Sequence, residues 1–317
     1  MSRSSTSSSR RGFTLVELLI VIAILGVLFA LLLPAVQAAR ESGRRAACLS
    51  NQKEVGLAIS HHESLFGSYP PGRIGCDDTG DSTAIPGCPR GLPVHKKTAA
   101  SGFVAILPQL EEQVLYDQLS VESGGLWNRN VDDLDWYYDK DKYSAVKQRV
   151  AILICPSDTS QAISDVYHPV LAATGSYAFV QGTLGPGAPA ATSKYANDGL
   201  FLYVARRKAN RVEDGLSKTL MLGEVVLADT WESSNTWSYA LAGADCLRST
   251  ENLLNTPPGA GVTVNRQNGA FGSQHSDGAN FCFADGHAEF IADDVELPVY
   301  QSMSTIREGE SHAVAAH

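Results

Sequence analysis

Residues 10–34, RRGFTLVELLIVIAILGVLFALLLP, decide the fold, because they set one acid inside a stretch otherwise fit to cross a bilayer. As a helix, residues 13–33 would extend about 31 Å, matching a hydrocarbon core of about 30 Å. Glu17 is their only charge. A carboxylate at such depth costs roughly 2.5 to 3.5 kcal/mol on insertion scales, so its presence needs a reason. Ahead of the stretch lies MSRSSTSSSRRG, a polar leader carrying Arg3, Arg10 and Arg11. By the positive-inside rule such a leader stays cytoplasmic and sends the chain after Pro34 outward.

The 317-residue chain as a whole has the composition of a folded body, 44% apolar and 8% aromatic, with a net charge of -9. No Lys/Arg stripe interleaves with aromatics, so nucleic acid is not an expected partner. Six cysteines, Cys48, Cys76, Cys88, Cys155, Cys246 and Cys282, suit an oxidising compartment. Cys76 and Cys88 bracket the loop CDDTGDSTAIPGC, where a bridge would staple a segment poor in apolar residues. Zinc is the rival reading, but no C-x2-C or H-x3-H spacing occurs, and no metal site is expected.

Three readings compete at the N-terminus. A secretory signal peptide could be cut after Ala38 to leave Ala39 first, and SRRGF, residues 9–13, resembles a twin-arginine export signal. Against both, the apolar core exceeds the usual 7 to 15 residues and gains nothing from Glu17. The third reading uses more residues at once: RRGFTLVELL resembles the type IV prepilin cleavage and methylation motif. That resemblance implies cleavage by prepilin peptidase between Gly12 and Phe13, methylation of the Phe13 amine, and a role for Phe13 and Glu17 in assembly with like or related pilin subunits. The acid would then meet an amine that exists only after the leader is removed. Locally, Phe13 and Glu17 are also i and i+4 on one helix face, and an acid in a first turn suits the helix dipole.

After Pro34 the helix can continue, with Cys48, Val55, Ile59 and His62 on one face and Arg40, Arg44, Arg45 and Lys53 largely elsewhere. His61-His62 reads as a solvated or packing pair. Beyond residue 65 a Gly/Pro/Asp loop gives way to SGFVAILPQLEEQVLYDQL, predicted to be helical from near Pro108 with Leu110, Val114, Leu115 and Leu119 inward. VAILI, residues 150–154, reads as a buried strand. SYAFVQG, GLFLYV, KTLMLGEVVLA, TWSYALAG and NFCFADGHAEFI read as short β runs, and GTLGPGAPAATS as a flexible loop. The expected fold is α+β: a long N-terminal helix on a mainly antiparallel, β-rich head. Residues 1–12 would be the leader, 13–36 the transmembrane helix, 37–66 the stalk, 67–306 the head and 307–317 a flexible tail.

The order of CLSNQKEVGLAISHHES, SYPPG, FVAILPQLEEQVLYDQL, CPSD, EDGLSKTLMLGE and FGSQHSDGANFCFADGHAEFI resembles an uncharacterised family of prepilin-like bacterial proteins with a C-terminal H-x9-DG motif. Here the motif is His275, Asp285 and Gly286. The resemblance pairs Cys48 with Cys155, since both fall in its landmarks, and would tie stalk to head. It also raises calcium, by analogy with some pseudopilin heads, as a ligand for the C-terminal acids; those acids lack a known calcium-loop spacing.

His275, Asp277, Asp285, His287, Glu289, Asp293 and Asp294 are the densest set of candidate ligands. A two-residue type I′ turn at Asp285-Gly286 would explain the DG without chemistry, pairing Phe283 with Ala288 and Phe281 with Phe290. There is no G-x-S-x-G, H-E-x-x-H or Walker motif, and nothing basic adjoins Cys155 in sequence, so no catalytic residues are expected. The sequence thus reads as a non-enzymatic pilin-like subunit in a bacterial inner membrane or a surface filament, serving a pilus or a type II secretion-like apparatus. The alternative is a membrane-tethered envelope protein that binds a ligand or cation without polymerising.

Overall fold

The computed structural model describes residues 15–75, 98–123, 126–129, 136–137, 140–168, 170–225 and 229–307. Two compact units emerge, Met1–Gly43 and Arg44–His317, and the boundary falls inside one helix, α1 (Leu15–Phe66).

The described part of the first unit is the N-terminal portion of α1. Its Leu, Ile, Val and Phe side chains are exposed on every side. A helix apolar all round needs an apolar surrounding, and this one has the length and composition to cross a membrane. Pro34 lies within it without ending it. Its missing N–H leaves the Ala30 carbonyl without the usual helical partner, a loss placed at the end of the apolar run.

In the second unit the remainder of α1 has one buried face, made of Cys48, Gln52, Val55, Gly56, Ala58, Ile59 and His62. His62 Nδ1 donates to the Ser68 carbonyl at 3.1 Å and the ring packs on Phe66, whereas His61 is exposed. The buried face covers a seven-stranded sheet of β1 (Tyr177–Val180), β2 (Leu220–Glu224), β3 (Ala240–Leu241), β4 (Ala244–Asp245), β5 (Leu247–Arg248), β6 (Gly278–Phe283) and β7 (Ala288–Ala292). The spatial order is β7-β6-β2-β1-β5-β4-β3, and only the β1/β5 pairing is parallel. The fold is α+β.

Gly56 shows how close helix and sheet come, since a Cβ there would sit 2.5 Å from Cys282 Sγ and 3.2 Å from Met221 Cε. The sheet's other face receives Phe271 and Tyr300, both packed on Phe281, with Tyr300 supplied by a short helix over Leu297–Ser302. At β1, Phe179 stacks between Phe103 and Phe201.

Several local expectations change. The apolar run at Gly102–Ile106 is itself helical and continues as a 3-10 turn over Leu107–Leu110; Glu111 then turns left-handed at φ 63°, and a second helix runs over Gln113–Leu119. That break rotates the faces, so Leu115 and Leu119 are buried while Val114 is 72% exposed. VAILI is a 3-10 turn over Ala151–Leu153 instead of a strand, since a run this short carries no period to separate the two. GLFLYV is buried but forms no strand beyond a bridge from Tyr203 to Arg73. GTLGPGAPAATS is pinned, not free: Leu184 is held by Gln181 and Asn197, the Gly187 N–H donates to Glu251, and Ala190–Tyr195 is helical.

The C-terminal hairpin differs from expectation by one residue of register. Phe281 faces Glu289, and Cys282 faces Ala288. The Phe283 N–H donates to the His287 carbonyl at 2.8 Å, the Gly286 N–H donates to the Phe283 carbonyl at 2.9 Å, and only Gly286 has a positive φ, 89°. This is a three-residue loop in which a type I turn is closed by a left-handed glycine. The slip puts Phe283 beside His287, whose rings stack at 4.3 Å, and brings Phe290 to the face of Cys282, where Arg45 lies over the Phe290 ring at 3.9 Å.

Candidate functional site

Four parts of the second unit converge on one buried point. α1 brings Cys48, the turn after Ala151–Leu153 brings Cys155, the end of β2 brings Glu224, and the segment leading into β6 brings His275. Cys48 and Cys155 form a disulfide across 107 residues of sequence. His275 Nε2 lies 3.4 Å from Cys155 Sγ and 3.2 Å from Glu224 Oε1, with the two polar side chains 1% and 2% exposed. One donor atom from each of the four residues falls within 4.8 Å of every other.

The surroundings hold this point in place. The Asn280 N–H donates to Glu224 Oε2 at 2.7 Å and Asn280 Nδ2 to Oε1 at 3.2 Å, while Gln52 Nε2 donates to the Asn280 carbonyl at 2.9 Å. The Cys155 N–H donates to Ser176 Oγ at 2.9 Å, and that hydroxyl donates to Asp158 at 2.6 Å. Asn51 Nδ2 donates to the Ile154 carbonyl, and the Tyr177 hydroxyl donates to the Cys48 carbonyl at 3.3 Å. Burial first, and then the charge of Glu224, push the Tyr177 phenol far up, so it remains a donor. A crevice bounded by Cys155, Asp158, Ser176, Glu224, Ser273 and Gln274 reaches the cluster.

By sequence, His275 groups with the C-terminal acids as a candidate ligand. Its imidazole instead pairs with Glu224, and its N–H donates to Ser273 Oγ. The H-x9-DG motif therefore marks the two ends of β6 and is not one site. At the far end Asp285 Oδ1 meets His287 Nδ1 at 2.6 Å on the surface. The acids do not gather either: Asp293 returns to the Asp277 end of the hairpin, where its N–H donates to the Asp277 carbonyl. Cys155, with no basic neighbour in sequence, has an imidazole against its sulfur in space. Spacing rules see only local pairs, and the 120 residues from Cys155 to His275 lie outside their reach. The stretches CLSNQ, CPSD, LMLGE and SQHSD, scattered along the sequence, each bring one member of the cluster, and their convergence is the signal that links them.

Gly12, Phe13, Cys76 and Cys88 lie outside the described residues. Glu17 sits in the first turn of α1 and is exposed. Cys246 and Cys282 are buried free thiols. Burial pushes the Cys282 thiol up to about 12 and the Cys246 thiol well above its ordinary value, so both stay protonated and act as packing groups.

A family model described as "Protein of unknown function (DUF1559)" matches residues 37–297, and one described as "Prokaryotic N-terminal methylation motif" matches residues 7–33. No curated protein and no solved structure matches the chain. The methylation motif marks a type IV pilin-like substrate of prepilin peptidase, and the long apolar helix behind it is compatible with single-pass anchoring in the inner membrane.

Proposed function

The chain belongs to the DUF1559 family of proteins of unknown function, and from that membership together with its N-terminal motif we propose that it is a non-enzymatic type IV pilin-like subunit. In this reading prepilin peptidase cuts after Gly12 and methylates Phe13. The N-terminal half of α1 stays in the membrane or packs among like helices, and the basic leader directs the head to the extracytoplasmic side. The observation that carries the reading is the junction itself: a Gly-Phe cleavage sequence directly precedes a helix whose apolar side chains are exposed all round. Glu17 then has a functional reason, because a carboxylate in an apolar layer is retained where it meets a cation, here the new amine of Phe13 on its own or a neighbouring chain.

N-terminal sequencing with intact mass of the mature protein tests this. A start at N-methylated Phe13 supports it, and a start at Ala39 or an unprocessed Met1 overturns it. Glu17→Ala then separates assembly from simple tethering. Processing persists in both cases, but a subunit that assembles through this acid loses recovery with its partners, whereas a tethered head is unaffected.

A further inference from the structure

We propose that Cys48, Cys155, His275 and Glu224 form a redox-gated zinc site, empty while the disulfide is closed and able to hold one Zn2+ once it is reduced. The inference stands independently of the pilin-like reading, since it concerns only the head. Two thiolates and an imidazole are donors that select zinc over calcium or magnesium, and Cys2HisGlu fills a four-coordinate shell. Zn–N, Zn–O and Zn–S bonds of about 2.0 to 2.3 Å in a tetrahedron place neighbouring donors roughly 3.3 to 3.8 Å apart. His275 Nε2 already stands 3.4 Å from Cys155 Sγ and 3.2 Å from Glu224 Oε1, and every other donor pair lies within 4.8 Å, so the joined sulfurs have to separate while the remaining donors shift by about an ångström or less.

The neighbours fit the same role. A bridge that merely ties two segments needs neither an acid nor an imidazole against its sulfur, and burying that pair carries a desolvation cost. Asn280 fixes the carboxylate as outer-shell partners of metal ligands do. Gln52 Oε1 and Asn280 Oδ1, on the two side chains tied to this network, are buried acceptors without a hydrogen-bond donor, which favours added positive charge nearby.

The step balances as follows. A dithiol gives two electrons and two protons to the S–S bond and leaves as its own disulfide, producing the Cys48 and Cys155 thiols. Zn2+ then displaces the two thiol protons to solvent.

The test uses the full chain in detergent, with Cys76 and Cys88 changed to Ser so that those two thiols do not contribute, and C48S/C155S, which keeps the buried Cys246 and Cys282, serves as the background. The chain is reduced with tris(2-carboxyethyl)phosphine without air, given Zn2+, desalted, and its zinc counted by mass spectrometry. Reduced protein is expected to keep one zinc per chain and oxidised protein essentially none. His275→Gln and Glu224→Gln should each weaken binding by about 10-fold to 100-fold or more. Co2+ in place of zinc should give tetrahedral visible bands with thiolate charge transfer. Zinc should also raise the melting temperature of the reduced chain but not of C48S/C155S, which guards against a purely folding effect. The proposal is overturned if the reduced chain holds no more zinc than C48S/C155S, if the cobalt spectrum lacks thiolate charge transfer, or if a reduced chain that unfolds is not restored by zinc.

Discussion

Two acids are buried among the described residues of the head, and their company differs. Asp245 Oδ2 accepts from the Tyr167 hydroxyl at 2.5 Å and Oδ1 from the Thr236 N–H at 3.1 Å. The nearby Arg248 guanidinium donates to the Asp245 and Ser234 carbonyls, and Tyr167 packs edge-on against Trp127 and Tyr239. Those partners belong to the fold and have no other chemistry at neutral pH. Glu224 is equally buried, but its partner is a titratable imidazole, its neighbours are two sulfurs that can change state, and a crevice reaches it. Burial alone does not tell a structural acid from a reactive one; what the partners can become does.

The sharpest way to probe this contrast is to remove the bridge. C48S/C155S frees a loop of 107 residues in the unfolded chain, and the chain-entropy relation puts the loss at about 4 to 5 kcal/mol. Denaturant unfolding followed by tryptophan fluorescence should show it, and wild type in reductant without zinc should fall to the same midpoint. A wild-type midpoint that ignores reductant, with the bridge shown open by mass, would remove the bridge from the stability of this region.

Asp245→Ala should cost about 3 kcal/mol in the same assay, because it leaves the buried Arg248 without its countercharge. The contrast predicts that zinc uptake by the reduced head is unchanged in this variant. Asp245 also has a pH signature. Burial raises its carboxyl to about 6, against the opposing effects of the Tyr167 and Thr236 hydrogen bonds and of Arg248. A raised carboxyl pKa means that the folded state keeps a proton the unfolded chain releases. Its contribution is therefore full below about pH 4 and is lost as pH rises toward 6, by roughly 2 to 3 kcal/mol. Asn tolerates the left-handed backbone at this position, φ 47°, so Asp245→Asn should flatten the curve. The check is the difference between the wild-type and Asp245→Asn stability curves from pH 4 to 7; a difference that does not change with pH would show that Asp245 is not the group responsible.

How legible this was depends on the range of the forces involved. α1 could be read at once, since its apolar half and the Cys48, Val55, Ile59, His62 face are written in neighbouring residues. The hairpin could be read as a hairpin, and β1 and β2 as strands. The 3-10 turn at Ala151–Leu153 could not, because a five-residue apolar run fits either conformation until the sheet has chosen its strands. Asp245 was not singled out at all: no local pattern marks an acid whose partner, Tyr167, is 78 residues away. The same holds for Glu224, which reads as the polar end of an apolar strand. His275 stands out by its motif, but its partner Glu224 sits at the end of another strand, where no local spacing reaches.

The hairpin offers the smallest and most local test, at the end of β6 opposite His275. Gly286 has open space around its missing Cβ, so Gly286→Ala meets no clash and isolates the cost of φ 89°. About 1 kcal/mol is expected. Asp285→Ala removes the contacts to the His287 N–H and ring, 3.0 and 2.6 Å, at a largely solvated position, and should cost less than about 1 kcal/mol. A type I′ loop, with positive φ at both Asp285 and Gly286, would penalise Ala at either position through backbone strain. In the observed loop only Gly286 carries that conformation. Comparable losses from the two substitutions would thus argue for the other register, which would also move Phe290 to the face opposite Cys282.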